Sequence, residues 1–591
     1  MVGAALAAIL MAQEAKAQAT CMGGMAMGGT GEMQEIPAPE KLPAAVKMVG
    51  LGNAHIRITG SAEAQGWFDQ GLNLMHDFWD YESAKAFEQG VRVDPKCAMC
   101  WWGLARIEGF RGGTTKVYAT GALAEAVKLK GHVSKGERLY IEAAEAEAAA
   151  KEGDSSKATA IYRRLVASEP KDLEARIFLA ESLDGGFDDK GEPKTGQKER
   201  IAILEGVLRD APEDSAANHY WIHAVEPGNH PELALKSAAL LARLAPGSGH
   251  MVHMPGHIYY RVGDYVNAEK WFEASTETDE KYMREMHVGP DDDWNYVHNM
   301  MYSIANLMEQ GRLQEANSLS DRLVGARGKM SPTLYVWSAR DSMARLNNRL
   351  PVALRLGDWD GVLAMLEHAP VAETEKTANL RLLAGELREF ATGMRALDRG
   401  DVAEARAASV RMDAGLWRGE QEVQGKAAAK KKEAEEKMPP MMPLMPDAEG
   451  DPLLKSLGVA SMELRAGVLV AEGKPDAGKK LYAAAQVAEK KLGYHEPPIY
   501  VRPVGETEAA ALLRAKDFAG AKSAYDEALK ERPGSGFGLY GLARVKEMAG
   551  DEAGARLGYT EFLKAWPAAD AGLPEVGHAR EMVARGAMAG R

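Results

Sequence analysis

One skeleton recurs along this chain and limits its fold more than any other feature. Between residues 67 and 95 it reads Trp67, Gly71, Leu74, Phe87 and Pro95. Parts of it return at Trp101, Leu104 and Ala105, and at Gly256, Tyr259, Ala268 and Phe272. Further copies run through Ala521, Tyr525, Ala528 and Pro533, and through Leu542, Ala543, Ala555, Tyr559 and Pro567. Each class of residue has a physical task. Small residues let two helices approach, aromatic rings fill the seam between them, and proline ends the second helix before the next unit begins. Such a unit cannot bury its apolar face alone, so copies must stack.

The spacing, W-x2-L-G-x2-Y followed by A-x3-F and P, resembles the tetratricopeptide repeat (TPR). The resemblance extends over residues 60–570 in roughly ten to thirteen units, some degenerate. It implies an all-α chain, a right-handed α-solenoid of TPR-like helix pairs. The phrases HMPGHIYYRVGDY and YHEPPIYVRPVGE resemble a group of exported bacterial TPR proteins, a likeness that brings no activity with it. Composition agrees with a helical array: 46% of residues are hydrophobic but only 7% aromatic, which suits many small interhelical contacts. A net charge of −13, with no basic stripe, excludes nucleic acid as a partner. No phosphate-binding glycine loop, H-E-x-x-H, G-x-S-x-G elbow or calcium loop occurs, so no nucleotide is expected.

The domain plan follows from breaks in the pattern. Residues 1–19 read as a signal peptide. The apolar stretch from Val2 to Ala12 is too short to span a bilayer, and Ala17-Gln18-Ala19 offers a small-residue cleavage site. The protein is therefore expected in the periplasm or outside the cell, without a membrane span. Cys21 raises a lipoprotein reading, against which Gln18 and Thr20 weigh. Residues 20–60 read as a Met/Gly/Pro-rich disordered N-terminus and 61–420 as an N-terminal array. Residues 421–452 form a charged, Met/Pro-rich linker, 453–575 a C-terminal array, and 576–591 a tail. Loops are expected to interrupt the repeats at 184–197 and 281–293. Cys97 and Cys100 form a C-x-x-C that Trp101 follows, where covalent haem would require histidine. A disulfide and half of a metal site both remain open, the disulfide being favoured in an exported protein.

The chemistry concentrates in histidines. Pro212 and Pro246 stand 34 residues apart, one whole unit. In TPR proteins the first helix of each unit lines the concave groove. By that resemblance His219, His223, His250, His253, His257 and His298 take groove positions on three successive first helices, with Glu226 and Met301 beside them and His76 in the first unit. Helical geometry agrees independently. His219 and His223 are i, i+4, while His250, His253 and His257 are i, i+3, i+7 and stay within an arc of about 60°. Pro255, inside that helix, removes a backbone bond to Met251 and is expected to bend the turn or be tolerated in a short helix.

Six imidazoles in one groove point to a transition metal, with copper favoured over iron or zinc, bound as one or two ions. Histidine suits all three metals. The thioethers of Met22, Met25, Met27, Met438, Met441, Met442 and Met445 tilt the choice to copper. Cys97, Cys100, His76 and Met301 are further candidate ligands. Glu226, Tyr260 and Arg261 are candidate catalytic groups, and Glu226, Glu496 and Asp291–Asp293 are candidate carboxylate ligands or general bases. The leading expectation is an exported metalloprotein, with oxidative chemistry on a peptide or small molecule as its expected activity. The alternatives are a metal carrier without turnover and a non-catalytic scaffold that binds a partner peptide in the groove.

Overall fold

A computed structural model describes residues 44–111, 115–151, 154–188, 190–290, 293–326, 343, 346–369, 371, 373, 377–436 and 452–589. The expectations for Cys21, the N-terminal methionines, Asp291, Asp292 and Met438 to Met445 lie outside them. The chain divides into two compact units, Met1–Arg261 with Asn267–Asn299, and Val262–Val266 with Met300–Arg591. The sequence had instead placed a division at 421–452.

The fold is all-α. The first unit pairs α1 (Ala62–His76) with α2 (Asp80–Val93), α3 (Ala98–Arg111) with α4 (Thr115–Leu129), and α5 (Lys135–Ala148) with α6 (Ser156–Ser168). It continues with α7 (Leu173–Glu181) and α8 (Thr195–Asp210), α9 (Ser215–Val225) and α10 (Leu235–Leu244), and α11 (Gly249–Arg261) and α12 (Tyr265–Met286). Helix α13 (Trp294–Glu309) starts in this unit. The repeat skeleton explains the pairs. A Cβ added to Gly71 or Gly103 would meet the Phe87 ring at 2.9 or 2.3 Å, and one on Gly256 would meet Phe272 at 2.4 Å. Glycine therefore sets how closely the seams shut. First helices start at side-chain caps: Ser61 on α1, Ser134 with Glu137 in a capping box on α5, Asp172 on α7 and Asp214 on α9.

The second unit holds α14 (Leu313–Ala326), α15 (Leu350–Leu356) with α16 (Trp359–Glu367), α17 (Ala378–Asp398) with α18 (Val402–Glu436), and α19 (Pro452–Ala471) with α20 (Pro475–Lys490). It ends in α21 (Val504–Arg514) with α22 (Phe518–Glu531), α23 (Gly536–Met548) with α24 (Glu552–Ala565), and α25 (Pro574–Ala589). At its centre the buried Arg355 guanidinium bonds both Glu309 and Glu506, and Glu309 also accepts from Arg532 and Ser535. A buried guanidinium is tolerated because it is paired on every side.

Four boundaries differ from the sequence reading. Residues 44–60 are not part of a disordered N-terminus. They run extended against the first unit and bury Leu51, Ala54, Ile56 and Ile58. Side chains of α1 hold this strap by its backbone. Asn73 bonds both the N–H and the carbonyl of Ala54, Gln65 those of Ile58 and Ile56, and Gln70 those of Met48 and Val46. The 281–293 loop is shorter than expected because α12 continues to Met286. The charged run begins as helix, since α18 reaches Glu436. Residues 576–589 belong to α25, which buries Val576 and Ala579. The 184–197 loop is present, with an antiparallel bridge between Phe187 and Pro193. Among the described residues no helix is long and apolar enough to cross a membrane.

Candidate metal centre

Three first helices carry the six histidines. Asp214 accepts from the Ala217 N–H at 2.7 Å to start α9, which presents His219 and His223 one turn apart. Helix α11 runs unbroken through Pro255 and presents His250, His253 and His257, while Met251 and Met254 are fully buried in the core. Its first residue must be small, because a Cβ on Gly249 would sit 1.5 Å from the Asp279 carboxylate. Helix α13 contributes His298.

The six rings sort into two sets of three. His219, His223 and His250 bring one nitrogen each within 4.8 Å of one another, and so do His253, His257 and His298. In the first set the His219 Nε2 lies 3.0 Å from the His223 Nε2 and 3.1 Å from the His250 Nε2. In the second, the Nε2 atoms of His253 and His257 are 2.5 Å apart. Three nitrogens held around an ion by bonds of about 2.0–2.1 Å would stand roughly 3.3–3.6 Å apart, so the first triad's contacts are slightly contracted from ligating geometry and the His253–His257 pair is clearly shorter.

The Nδ1 atoms decide what these contacts mean. His219 Nδ1 donates to the His76 carbonyl at 2.7 Å, and His250 Nδ1 meets Asn295 Oδ1 at 3.3 Å. His253 Nδ1 meets Asn299 Oδ1 at 2.8 Å, and His257 Nδ1 meets the Glu226 carboxylate at 3.0 and 3.2 Å. The amide orientations are fixed from behind. Asn295 Nδ2 donates to Asp279 and Ser275, and Asn299 Nδ2 to the Phe272 carbonyl and Thr276. Every one of these Nδ1 partners is an acceptor, so in a neutral ring the proton sits on Nδ1 and Nε2 carries the lone pair. His219 and His250 therefore aim lone pairs at each other across 3.1 Å, a repulsive arrangement that a shared cation turns into ligation. A proton is a poor substitute. Burial, above all, pushes His219 and His298 down to about 3, and holds His223, His250 and His253 well below the usual histidine range. Neutral imidazole is the form that binds metals.

Aromatic groups enclose the first set. The Phe78 ring lies 4.8 Å from His219 and 5.5 Å from both His223 and His250, and Trp294 stands 4.9 Å from His250. Trp294 Nε1 donates to the Phe78 carbonyl at 3.1 Å. Phe78 has a φ of 58°, a left-handed backbone unusual for a bulky residue and frequent at functional sites. In each set two histidines are buried and one, His223 or His298, is half-buried, which leaves a side for entry.

The remaining candidates divide. Glu226 is fully buried and positions His257. Arg261 clamps the end of α9 through the carbonyls of Glu226 and Gly228, and Tyr260 is buried in the same helix as the histidines. His76 does not join the triads, because its ring is held by Glu174 at 2.8 Å and Tyr220 at 3.2 Å. Its carbonyl serves instead. Cys97 and Cys100 are bonded to each other as a disulfide, which removes both from the ligand set. Met301 lies three residues past His298 and belongs to the second unit, as does Glu496. Sequence reasoning missed Phe78, Trp294, Asn295 and Asn299. The last two were detectable, since they stand one turn apart, i and i+4, on the helix that carries His298.

No family model and no curated protein matches the chain. Among solved structures it is similar to human IFIT1, solved as a dimer with m7Gppp-AAAA, at 13% identity over 80% of this chain and 90% of that one, with a TM-score of 0.32. It is similar to yeast Tom70 at 13% identity over 88% and 96%, TM-score 0.28, and to the TPR domain of P58(IPK) at 13% over 83% and 99%, TM-score 0.19. At those values the likeness concerns repeat architecture, and no ligand is carried across.

Proposed function

We propose that this TPR protein is an exported metalloprotein whose histidine-lined groove holds a transition metal, copper before zinc or iron. The carrying observation is the pair His219 and His250, whose Nδ1 atoms are committed to acceptors while their Nε2 atoms converge at 3.1 Å. Copper is favoured by an all-imidazole donor set. The Glu226 carboxylate bonds His257 and also comes within 4.8 Å of a His223 nitrogen, but neither triad includes it. The disulfide between Cys97 and Cys100 fits an oxidising compartment and the exported bacterial group that the sequence resembles. Four second-sphere hydrogen bonds and burial favour a resident ion over a transported one, and copper so held supports oxidative chemistry on a small molecule or peptide.

A non-catalytic scaffold that binds a partner peptide is the second reading, and the repeat fold is its support. The side chains of α1 best placed to hold a peptide backbone already hold residues 46–58 of this chain, which weakens it. Elemental analysis of the purified protein beside a His219→Ala/His253→Ala/His257→Ala variant tests the proposal. Copper is expected in the first and absent from the second. Equal content in both, or none in either, would overturn it.

A further inference from the structure

We infer that the groove holds two metal ions, one in each triad, joined as a single binuclear centre that takes a small bridging ligand. This rests on the metal reading above and deepens it.

The repeat itself builds the site twice. His219 and His223 recur 34 residues later as His253 and His257. Each pair occupies the same two places, one turn apart, on successive first helices. Each is completed by a histidine nearer the start of the following first helix, His250 for the first pair and His298 for the second. One chain geometry, advanced by one unit, thus gives two equivalent sets of three nitrogens. A single ion cannot serve them together, because it would have to satisfy six rings that converge on two points. Three imidazoles apiece leave each ion with an open position in a four-coordinate set.

The two sets abut. Across the boundary the His250 and His253 rings are 6.0 Å apart centroid to centroid, the His223 and His257 rings 6.5 Å, and the His250 and His298 rings 6.5 Å. His250 and His253 stand one turn apart on α11 and each faces its own triad, so a single helix forms the shared wall. A ligand of one to three heavy atoms, such as hydroxide or azide, fits the class that can touch both ions. The sites differ behind the rings. The first rests on a backbone carbonyl and an amide, the second on an amide and the Glu226 carboxylate. The second therefore has the more basic ligands and fills first.

Reconstitution of the full chain with copper(II) chloride, followed by desalting, copper analysis and electron paramagnetic resonance, tests this. The half-buried His223 and His298 are the residues to change, with circular dichroism confirming the fold and the variants His223→Gln and His298→Gln repeating the measurement if the alanine forms unfold. Two coppers per chain are expected in the wild type, with a spin signal far below two per chain because the bridged ions couple. His223→Ala and His298→Ala each should hold one copper and show its full signal. Two coppers with full, uncoupled intensity would overturn the binuclear centre, and so would one copper in the wild type, although that result leaves the metal reading intact. No copper in any form would remove both.

Discussion

Changing Glu226 to glutamine removes the charge that the His257 ring meets in the second triad. The carboxylate and the His257 ring are both fully buried and meet at 3.0 Å, so neither water nor salt screens the contact. Glutamine keeps the shape and removes the charge. A hydrogen bond to a buried charge contributes about 1.5–3 kcal/mol against about 0.5–1.5 for a neutral one, a difference near 1–1.5 kcal/mol. That corresponds to roughly a tenfold loss of metal affinity, at the lower end of the ~10–100-fold range for such outer partners. The backbone should not move, since Arg261 holds the Glu226 carbonyl at 3.2 Å. The assay is a copper titration against a competing chelator in two backgrounds. In His223→Ala, which retains only the second triad, Glu226→Gln should weaken binding about tenfold. In His298→Ala, which retains only the first, the loss should be much smaller, because the Glu226 carboxylate there only lies within 4.8 Å of a His223 nitrogen. Equal loss in both backgrounds, or none in either, would refute the assignment of Glu226 to His257.

Three further outcomes are expected. Metal-free protein should lose stability below about pH 6.5, where the unfolded chain takes up protons that the buried, neutral His298 refuses until about pH 3. Buried Asp77 and Asp279, pushed upward by desolvation, act in the opposite sense. Comparison with His298→Gln cancels them, and between pH 6 and 5 the wild type should lose about 1.4 kcal/mol more in denaturant unfolding; parallel curves would count against the buried neutral ring. Phe78→Asn keeps a residue that tolerates the positive φ but removes the ring beside His219, His223 and His250. Copper should then leave the first triad to a chelator several-fold faster, with the second unchanged in stopped-flow traces. Cys97→Ala/Cys100→Ala should cost roughly 2 kcal/mol of stability by thermal unfolding, the loop being short, and leave copper content unaltered. A loss of copper would return the cysteines to the ligand set.

Why some of this was legible in sequence is a matter of range. That His219, His223, His250, His253 and His257 share helix faces one unit apart follows from two local periods, the helix turn and the 34-residue unit, while their place in a groove is what the TPR resemblance implies. The division into triads follows from neither. It depends on the offset between neighbouring helices, which Gly256 against Phe272 and Gly249 against Asp279 set through contact. Phe78 escaped because a left-handed residue between two helices has no pattern to announce it. The extended residues 44–60 escaped for a similar reason. Their apolar positions show no helical period, and their partners are the side chains of Gln65, Gln70 and Asn73, which read as ordinary surface polar residues. The disulfide was legible as a pair of cysteines, while its closure depended on where the helix start placed them.

The strap also sets an order of assembly. Asn53 exchanges hydrogen bonds with Ser215, and the Gly247 N–H donates to the Gly50 carbonyl at 2.7 Å. These contacts close at the starts of α9 and α11, more than 160 residues after the strap itself for the first of them. Repeat arrays otherwise fold through neighbours, which is fast, whereas such a closure waits for distant chain and slows the last step. As the chain is made, its earliest described segment must stay open until the histidine helices exist, and only then can it lock their first turns in place. The first turns of α9 and α11 are thus locked late, by a segment made well before them.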